Sequence, residues 1–147
     1  MSVADNAQRY SRLRDEQSSL FELYARRNGL TGKSLLVLLW LYHSPQGLSQ
    51  EFIAKRTYST KQVIRSIIKN LQAETYIILE LSKKDRRKKI VRLTDYGRRY
   101  ASSLADPLAR YEQEAMAVLS QEQQEVLLEA TAVFSHKLRQ ILEEREV

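Results

Sequence analysis

Hydrophobic residues follow a helical period along most of this chain of 147 residues. The clearest case is residues 60–73, where apolar positions recur at the spacing of one helix face and polar residues occupy the other. The apolar positions are Val63, Ile64, Ile67, Ile68 and Leu71, and the polar ones are Lys61, Gln62, Arg65, Ser66 and Lys69. This segment is therefore predicted to be an amphipathic helix that buries one side.

The same periodicity predicts five further helices. They cover residues 5–27, 33–43, 50–57 and 95–119, and a last helix begins at the capping box formed by Ser120 to Gln123. Hydroxyl side chains suited to N-caps precede the helices at 33–43, 50–57, 60–73 and 95–119. They belong to Thr31, to Ser49, to Ser59 or Thr60, and to Thr94.

Three details of these helices are specific enough to be tested. The helix at 33–43 is apolar on nearly every face, so it is predicted to be central and buried. The short helix at 50–57 is predicted to turn Phe52 and Ile53 inward. Pro107 is expected to kink or break the long helix near Ala105–Asp106.

Strand-forming residues cluster at two places downstream of the amphipathic helix. YIILEL at 76–81 and KIVRL at 89–93 predict two strands, with Val91 and Leu93 on one face and the hairpin tip at 82–88. Leu48 is predicted to pair as a strand of one or two residues. Two short helices joined by a tight turn and followed by a hairpin form a winged helix-turn-helix. The predicted fold is mainly α with a small β-hairpin and long N- and C-terminal helices.

The predicted organisation is one domain over residues 1–147. A winged-helix core occupies about 31–99, while residues 1–30 and 100–147 form helices whose apolar stripes lie outside that core. Such stripes indicate an interface with a second copy of the chain, so a homodimer is expected.

Positive charge is concentrated in the hairpin tip. Residues 82–92 hold seven Lys or Arg and one acid, Asp85, for a charge of +6 that equals the charge of the whole chain. A local basic patch is typical of a surface that binds a polyanion, most often nucleic acid. A solvated charge run, and an ordinary amphipathic helix with a solvated face, are the plainer interpretations of the two features taken singly. Their adjacency favours DNA binding.

The sequence lacks the residues that other chemistry would need. It has no cysteine, only two histidines (His43 and His136) on separate predicted helices, and no P-loop or nucleophile motif. No metal, no cofactor and no enzymatic activity are expected. The longest apolar run, Leu35 to Tyr42, is too short for a membrane span, and no leader opens the chain, so a cytoplasmic location is expected.

Two motifs resemble the MarR family of bacterial transcription regulators. Asp85-Arg86-Arg87 matches the family's D-x-R wing motif, and Leu93 to Gly97 matches its L-T-x-x-G junction. Thr60-Lys61-Gln62 resembles the subgroup with S/T-K-Q in its recognition helix. The chain departs from the family at Thr75-Tyr76, where many members have glycine before the wing.

The resemblance implies a role for each part of the basic surface. Lys61, Gln62 and Arg65 face the major groove, Arg87 enters the minor groove, and Asp85 braces the wing by pairing with an arginine. The family's dimers form through the first and last helices. The full set expected to bind DNA is Ser59, Thr60, Lys61, Gln62, Arg65, Ser66, Lys69, Lys83, Lys84, Arg86, Arg87 and Lys88.

Aromatic residues are candidates for a second site. The resembled family binds small molecules near its dimer interface, and the candidate lining here is Tyr10, Tyr24, Trp40, Tyr42 and Tyr111. Core packing is the favoured interpretation of these residues, since aromatics dominate cores.

The expected function is that of a homodimeric regulator, a repressor, that reads a palindromic operator on double-stranded DNA with helix 60–73 and wing 83–88. A small-molecule effector would release it. The alternative is a winged-helix interaction module whose basic wing contacts an acidic protein or an anionic membrane surface. The polar face of helix 60–73 discriminates between them, because only a DNA reader needs it.

Overall fold

The structure, a computed structural model, describes residues 1–145. It contains six helices and three strands over that range: α1 (Val3–Arg27), α2 (Gly32–Tyr42), β1 (Leu48–Ser49), α3 (Gln50–Arg56), α4 (Lys61–Ala73), β2 (Ile77–Leu81), β3 (Lys89–Leu93), α5 (Asp95–Ala117) and α6 (Gln121–Arg145). The predicted fold class is confirmed, and most boundaries fall within two residues of their predicted positions.

Hydroxyl side chains begin the helices where the sequence predicts them. The Thr31 hydroxyl accepts a hydrogen bond from the Ser34 amide at 3.1 Å, and that of Ser49 accepts one from the Phe52 amide at 3.0 Å. Each cap satisfies an amide that the first turn of a helix leaves without a partner.

The three strands form an antiparallel sheet in the order β1-β3-β2. Ile77 pairs with Leu93 and Leu81 with Lys89, so residues 82–88 form the hairpin tip as predicted. Leu48 pairs with Val91, which confirms the short strand predicted there.

One hydrophobic core supports both helix α4 and the hairpin formed by β2 and β3. Helix α2 lies in it, with Leu35, Leu38 and Leu41 fully buried. Ile64 of α4 and Val91 of β3 belong to the same cluster. Because protein interiors are closely packed, the two surface elements are fixed through a common set of side chains.

Phe52 does not face the core as predicted. Its side chain is 43% exposed, whereas Ile53 and Ala54 are buried. Helix α3 has seven residues, so only a narrow stripe of it can meet the core. Phe52 instead makes an edge-to-face contact with Trp40, with ring centroids 6.2 Å apart.

The described chain divides into two compact units, residues 1–105 and 106 onward. Helix α5 contains Pro107 and continues past it, so of the predicted kink or break the break does not occur. Proline removes one backbone donor from a helix, but its fixed φ is close to the helical value. The boundary between the units falls at Ala105–Asp106, the position at which the sequence predicted a kink or break.

The second unit contains a helix that buries nothing within the chain. Helix α6 begins at the predicted capping box, in which the Gln123 amide donates to the Ser120 hydroxyl at 3.1 Å. It has no buried residue along its 25 positions. Its exposed apolar side chains include Val126, Leu127, Leu128, Val133, Phe134, Leu138 and Leu142.

Candidate nucleic-acid interface

Helix α4 buries its apolar face in the core, which leaves its polar face exposed to solvent. Ile64, Ile67, Ile68 and Leu71 are buried, and the helix is anchored through them. The side chains on the other side are exposed; they are Lys61, Gln62, Arg65, Ser66 and Lys69. The helix therefore displays donors and acceptors of the kind that read base edges and phosphates.

Val63 departs from the predicted apolar face. It is 44% exposed, whereas the other four apolar positions are at most 9% exposed. Its amide donates to the hydroxyl of the N-cap Thr60 at 3.1 Å, so it lies in the first turn of the helix. Val63 lies at the border between the two faces of the helix, so its side chain points away from the centre of the buried side.

The turn before α4 is held by a buried threonine. The Thr57 hydroxyl donates to the Ile53 carbonyl at 2.7 Å, and Lys33 donates its ammonium to the Thr57 carbonyl at 3.0 Å. Ser59, one of the predicted DNA-binding residues, is half-buried and donates to the same carbonyl at 3.2 Å. Its hydroxyl is thus engaged within the turn, while Thr60 caps α4.

The wing tip is closed by its own hydrogen bonds. The Ser82 amide donates to the Lys88 carbonyl at 2.9 Å, which continues the ladder one step beyond the strands. The Ser82 hydroxyl accepts from the amides of Lys84 and Asp85, each at 3.2 Å. These bonds define a path for a loop that is otherwise dominated by like charges.

Asp85 pairs with Arg87 within the wing tip. One carboxylate oxygen accepts from the Arg87 amide and from its Nε, both at 3.1 Å. The Arg87 side chain and amide, which donate to the charged form, hold the pKa of the Asp85 carboxyl below its usual value of 3.8, and Lys88 acts in the same direction. The Arg87 side chain is nevertheless 91% exposed. The arginine that is expected to enter a groove is therefore the arginine that the acid orients.

A second ion pair neutralises another wing cation. Arg92 on β3 pairs with Glu80 on the neighbouring strand β2. Among residues 1–145, the remaining cations of the wing have no ion pair; they are Lys83, Lys84, Arg86, Lys88 and Lys89. The charge available to a partner is therefore concentrated at the tip.

The wing and helix α4 line one cleft of about 360 Å³. Lys61 and Arg65 of α4 line one part of it, and Arg87, Lys88 and Lys89 of the wing line another. The start of α3 completes the lining with Ser49, Gln50 and Glu51. Cations more than twenty residues apart in sequence thus share one concave surface, and a polyanion that enters it meets five of them.

Four residues of this cleft were not among the predicted DNA-binding residues. Lys89 belongs to the basic run, so its charge was visible in the sequence. Ser49, Gln50 and Glu51 had no such signal, because their position beside the wing depends on β1 pairing with β3. Glu51 is the acid of the lining and disfavours close approach of a phosphate on its side.

The base of the wing is held against α5 by three tyrosines. The Tyr76 ring stacks on Tyr100 with centroids 4.2 Å apart, and on Tyr96 with centroids 5.2 Å apart. Burial, together with the hydrogen bond to Tyr96, raises the pKa of Tyr76 from 10.0 to about 12, so its hydroxyl stays protonated above the pH at which an ordinary tyrosine ionises. This stack fixes where β2 begins.

The junction itself explains the departure at Thr75. Thr75 has φ of 63°, the left-handed conformation that glycine adopts without strain. Its carbonyl accepts from the Thr94 hydroxyl at 2.8 Å. A Cβ at Gly97 would clash with the Tyr76 carbonyl, so the last glycine of L-T-x-x-G allows α5 to approach the wing. Thr75 thus adopts the left-handed conformation without being glycine, and the strand begins at Ile77.

The candidate pocket aromatics have several different surroundings. Tyr24 donates its hydroxyl to the Leu104 carbonyl at 2.7 Å. Arg56 lies over the Trp40 ring at 4.9 Å, and Arg98 over the Tyr42 ring at 5.7 Å. Tyr10 is half-buried and Tyr111 is exposed. The ligand role of these five residues stays a prediction.

Over the part of the chain that the structure describes, there is neither a cluster of metal-ligating side chains nor a helix that could span a membrane. Within residues 1–145, no three His, Asp or Glu side chains lie close enough together to hold a metal ion. None of the helices in that range combines the length and the apolar character that crossing a membrane requires.

Known proteins share this fold. Residues 28–88 match the model of the MarR family. The MepR–DNA complex of Staphylococcus aureus superposes with a TM-score of 0.75 at 22% identity, covering 90% of this chain and 97% of that one. NMB1585, a MarR family regulator from Neisseria meningitidis, gives a TM-score of 0.78 at 19% identity, covering 99% of this chain and 100% of that one.

A third structure agrees. AbsC, a MarR family transcriptional regulator from Streptomyces coelicolor, gives a TM-score of 0.77 at 19% identity, over 95% of this chain and 97% of that one. No curated protein matches the chain significantly.

These matches define the class of the protein. The chain is a winged-helix protein with the fold of the MarR family's transcription regulators. The resemblance to the MarR family is confirmed, by the family model over residues 28–88 and by the shared fold.

Proposed function

We propose that this chain is a DNA-binding transcription regulator. The observation that carries the proposal is the cleft in which Lys61 and Arg65 of the recognition helix meet Arg87, Lys88 and Lys89 of the wing. A concave, cationic surface beside an exposed polar helix suits a duplex, whose phosphates flank the groove that the helix enters. The fold shared with MepR, which has been solved as a DNA complex, supports the same proposal.

The two elements divide the work of recognition. Lys61, Gln62 and Arg65 read base edges in the major groove, where amide and guanidinium groups form paired hydrogen bonds. Arg87 enters the adjacent minor groove, whose negative potential favours arginine when the groove is narrow. Asp85 holds the Arg87 guanidinium in advance and so reduces the entropy lost when the wing binds.

The active form is a homodimer. The exposed apolar stripe of α6, with Leu20 and Leu13 on α1, supports an interface with a second copy. A two-fold protein reads a palindromic site whose half-sites lie about one helical turn apart. Binding at such a site near a promoter blocks transcription, so the regulator acts as a repressor.

A small-molecule effector would relieve this repression. The five aromatics named above are the candidate lining, and the argument rests on the resemblance to the MarR family. A ligand that prefers one spacing of the two reading heads would shift the population away from the DNA-bound form.

The decisive experiment is selection of bound sequences from random duplex DNA by the purified protein. We expect a palindromic consensus, and an affinity that falls steeply with salt because bound cations displace counterions from the phosphates. Recovery of no consensus, with binding that is equal on all duplexes, would contradict the proposal.

A double variant separates DNA reading from the alternative of a basic interaction module. Gln62→Ala with Arg65→Ala removes the base-reading groups and leaves the wing intact. We expect the consensus to be lost while weak, salt-sensitive DNA binding remains. A variant that keeps the full affinity and the same consensus would favour a wing that contacts an acidic protein or an anionic membrane.

A further inference from the structure

Val63 is an exposed apolar side chain on a helix whose other large apolar residues are buried. It is 44% exposed, against 1% for its neighbour Ile64. Single exposed apolar residues are common on protein surfaces, so exposure alone decides nothing. Its position in the first turn of α4, immediately after the Thr60 cap, makes it relevant to recognition.

Helical geometry places Val63 on a defined flank of the polar face. Successive residues are turned by about 100°, so Gln62 and Ser66 lie near the middle of that face. Lys61 and Arg65 lie on the flank that lines the cleft with the wing. Val63 lies on the opposite flank, beside Ser66 one turn later. The face thus has a cationic side, a polar centre and an apolar side.

Only one group on the edges of the bases suits an apolar side chain. Valine neither donates nor accepts a hydrogen bond, so it gains nothing from a phosphate, a base nitrogen or a base carbonyl. The C5 methyl group of thymine is the apolar feature of the major groove. The side chain is also stiff at χ1 because it is branched at Cβ, so little rotamer entropy is lost when it makes a contact.

We infer that Val63 contacts the C5 methyl group of one thymine in each half-site and thereby selects a T·A pair over a C·G pair. This inference rests on the proposed function. It adds a specificity-determining residue whose partner is a methyl group, beside Lys61, Gln62 and Arg65, whose partners are hydrogen-bonding groups.

The test replaces thymine by uracil, which removes the methyl group and changes no hydrogen-bonding atom. Each thymine of the selected operator is replaced in turn, in both half-sites, and affinity is measured by fluorescence anisotropy. At one position we expect wild-type affinity to fall roughly fourfold for each half-site, the factor that one buried methyl group contributes. Val63→Ala, which removes the two γ-methyl groups and shortens the reach of the side chain, should lower this preference for thymine at that position.

The matched control is Val3→Ala, which shortens another exposed valine, one that is 86% exposed and lies on α1. It should keep the full preference for thymine. Wild-type protein that tolerates uracil at every position, or Val63→Ala that keeps the preference, would overturn the inference while DNA binding stands. Failure to select any sequence would overturn the proposed function and this inference together.

Discussion

The two compact units use the same kind of apolar stripe in opposite ways. In residues 1–105, α2 and α4 turn their apolar faces into a shared core. In the second unit, α6 also carries a stripe of apolar residues, but none of its residues is buried. Their charges differ as well. Residues from 106 onward have nine acids and four bases, for a net charge of −5. Residues 1–105 have a net charge of +11, so the whole chain has +6.

The difference fits the two partners proposed above, DNA for one unit and a second copy of the chain for the other. A unit that buries its own apolar face has its core covered without a partner. Its cationic cleft is suited to a polyanion. A helix that exposes its apolar face at neutral or negative charge is suited to a protein surface.

Charge placed on the stripe of α6 should abolish specific DNA binding. Leu127→Glu with Leu138→Glu puts carboxylates where a second copy would pack, and buried unpaired charge is strongly unfavourable. We expect monomers by light scattering, and operator affinity reduced by more than a hundredfold because one half-site is lost.

Glu125→Gln, which lies on the exposed polar side of the same helix, is the control and should remain dimeric. A dimer that persists in the double glutamate variant would mean that the stripe of α6 serves another purpose.

Truncation of one leucine in each unit should separate the two kinds of apolar face. Leu38 is fully buried, so Leu38→Ala should lower the free energy of unfolding by about 2–5 kcal/mol, whatever the protein concentration. Leu138→Ala should lower apparent stability only at concentrations where dimers form. Denaturant unfolding at two protein concentrations measures both. An equal, concentration-independent loss for both variants would remove the contrast.

Removal of the Arg87 side chain should weaken operator binding without affecting assembly. We expect Arg87→Ala to lower affinity by about tenfold, within the range of a single groove contact. Lys137→Ala on α6 removes a comparable cation from the other unit and should have little effect. A gel-shift titration with unchanged affinity for Arg87→Ala would show that the wing has been assigned wrongly.

The smallest effect concerns the pH dependence of the brace. Because its pKa in the folded protein lies below 3.8, Asp85 is ionised throughout the neutral range. Its contact with Arg87 is fully present above 3.8 and is lost only as pH falls through the lower folded value. An NMR titration should place the Asp85 midpoint below 3.8 and move it upward in Arg87→Ala. A midpoint that does not move would exclude the Arg87 side chain as the cause.

The fold was predictable from the sequence because its signals are local. Thr31 and Ser49 cap their helices where expected, and the hairpin closes between Leu81 and Lys89 because the strand and tip residues are contiguous. Pro107 shows the limit of such signals. Its local preference against the helix interior is real, but a long helix can continue past one missing hydrogen bond.

The candidate site was predictable only in part. The basic run and the polar face of α4 were visible as charge and periodicity. Several arginines lie near Asp85 in the sequence. That Asp85 pairs with Arg87 depends on the path of the backbone through residues 82–88. Glu51 and Gln50 could not be found at all, since they reach the cleft through a sheet pairing some forty residues away.

The sequence by itself determined the order of elements, the position of the positive charge and the apolar stripes, because capping, periodicity and turn chemistry act between near neighbours. The tertiary structure decided which apolar residues are covered. Val63 and Ile64 are adjacent and equally apolar, yet one is exposed and the other buried. Burial is a property of what packs against a residue, and that partner comes from elsewhere in the chain.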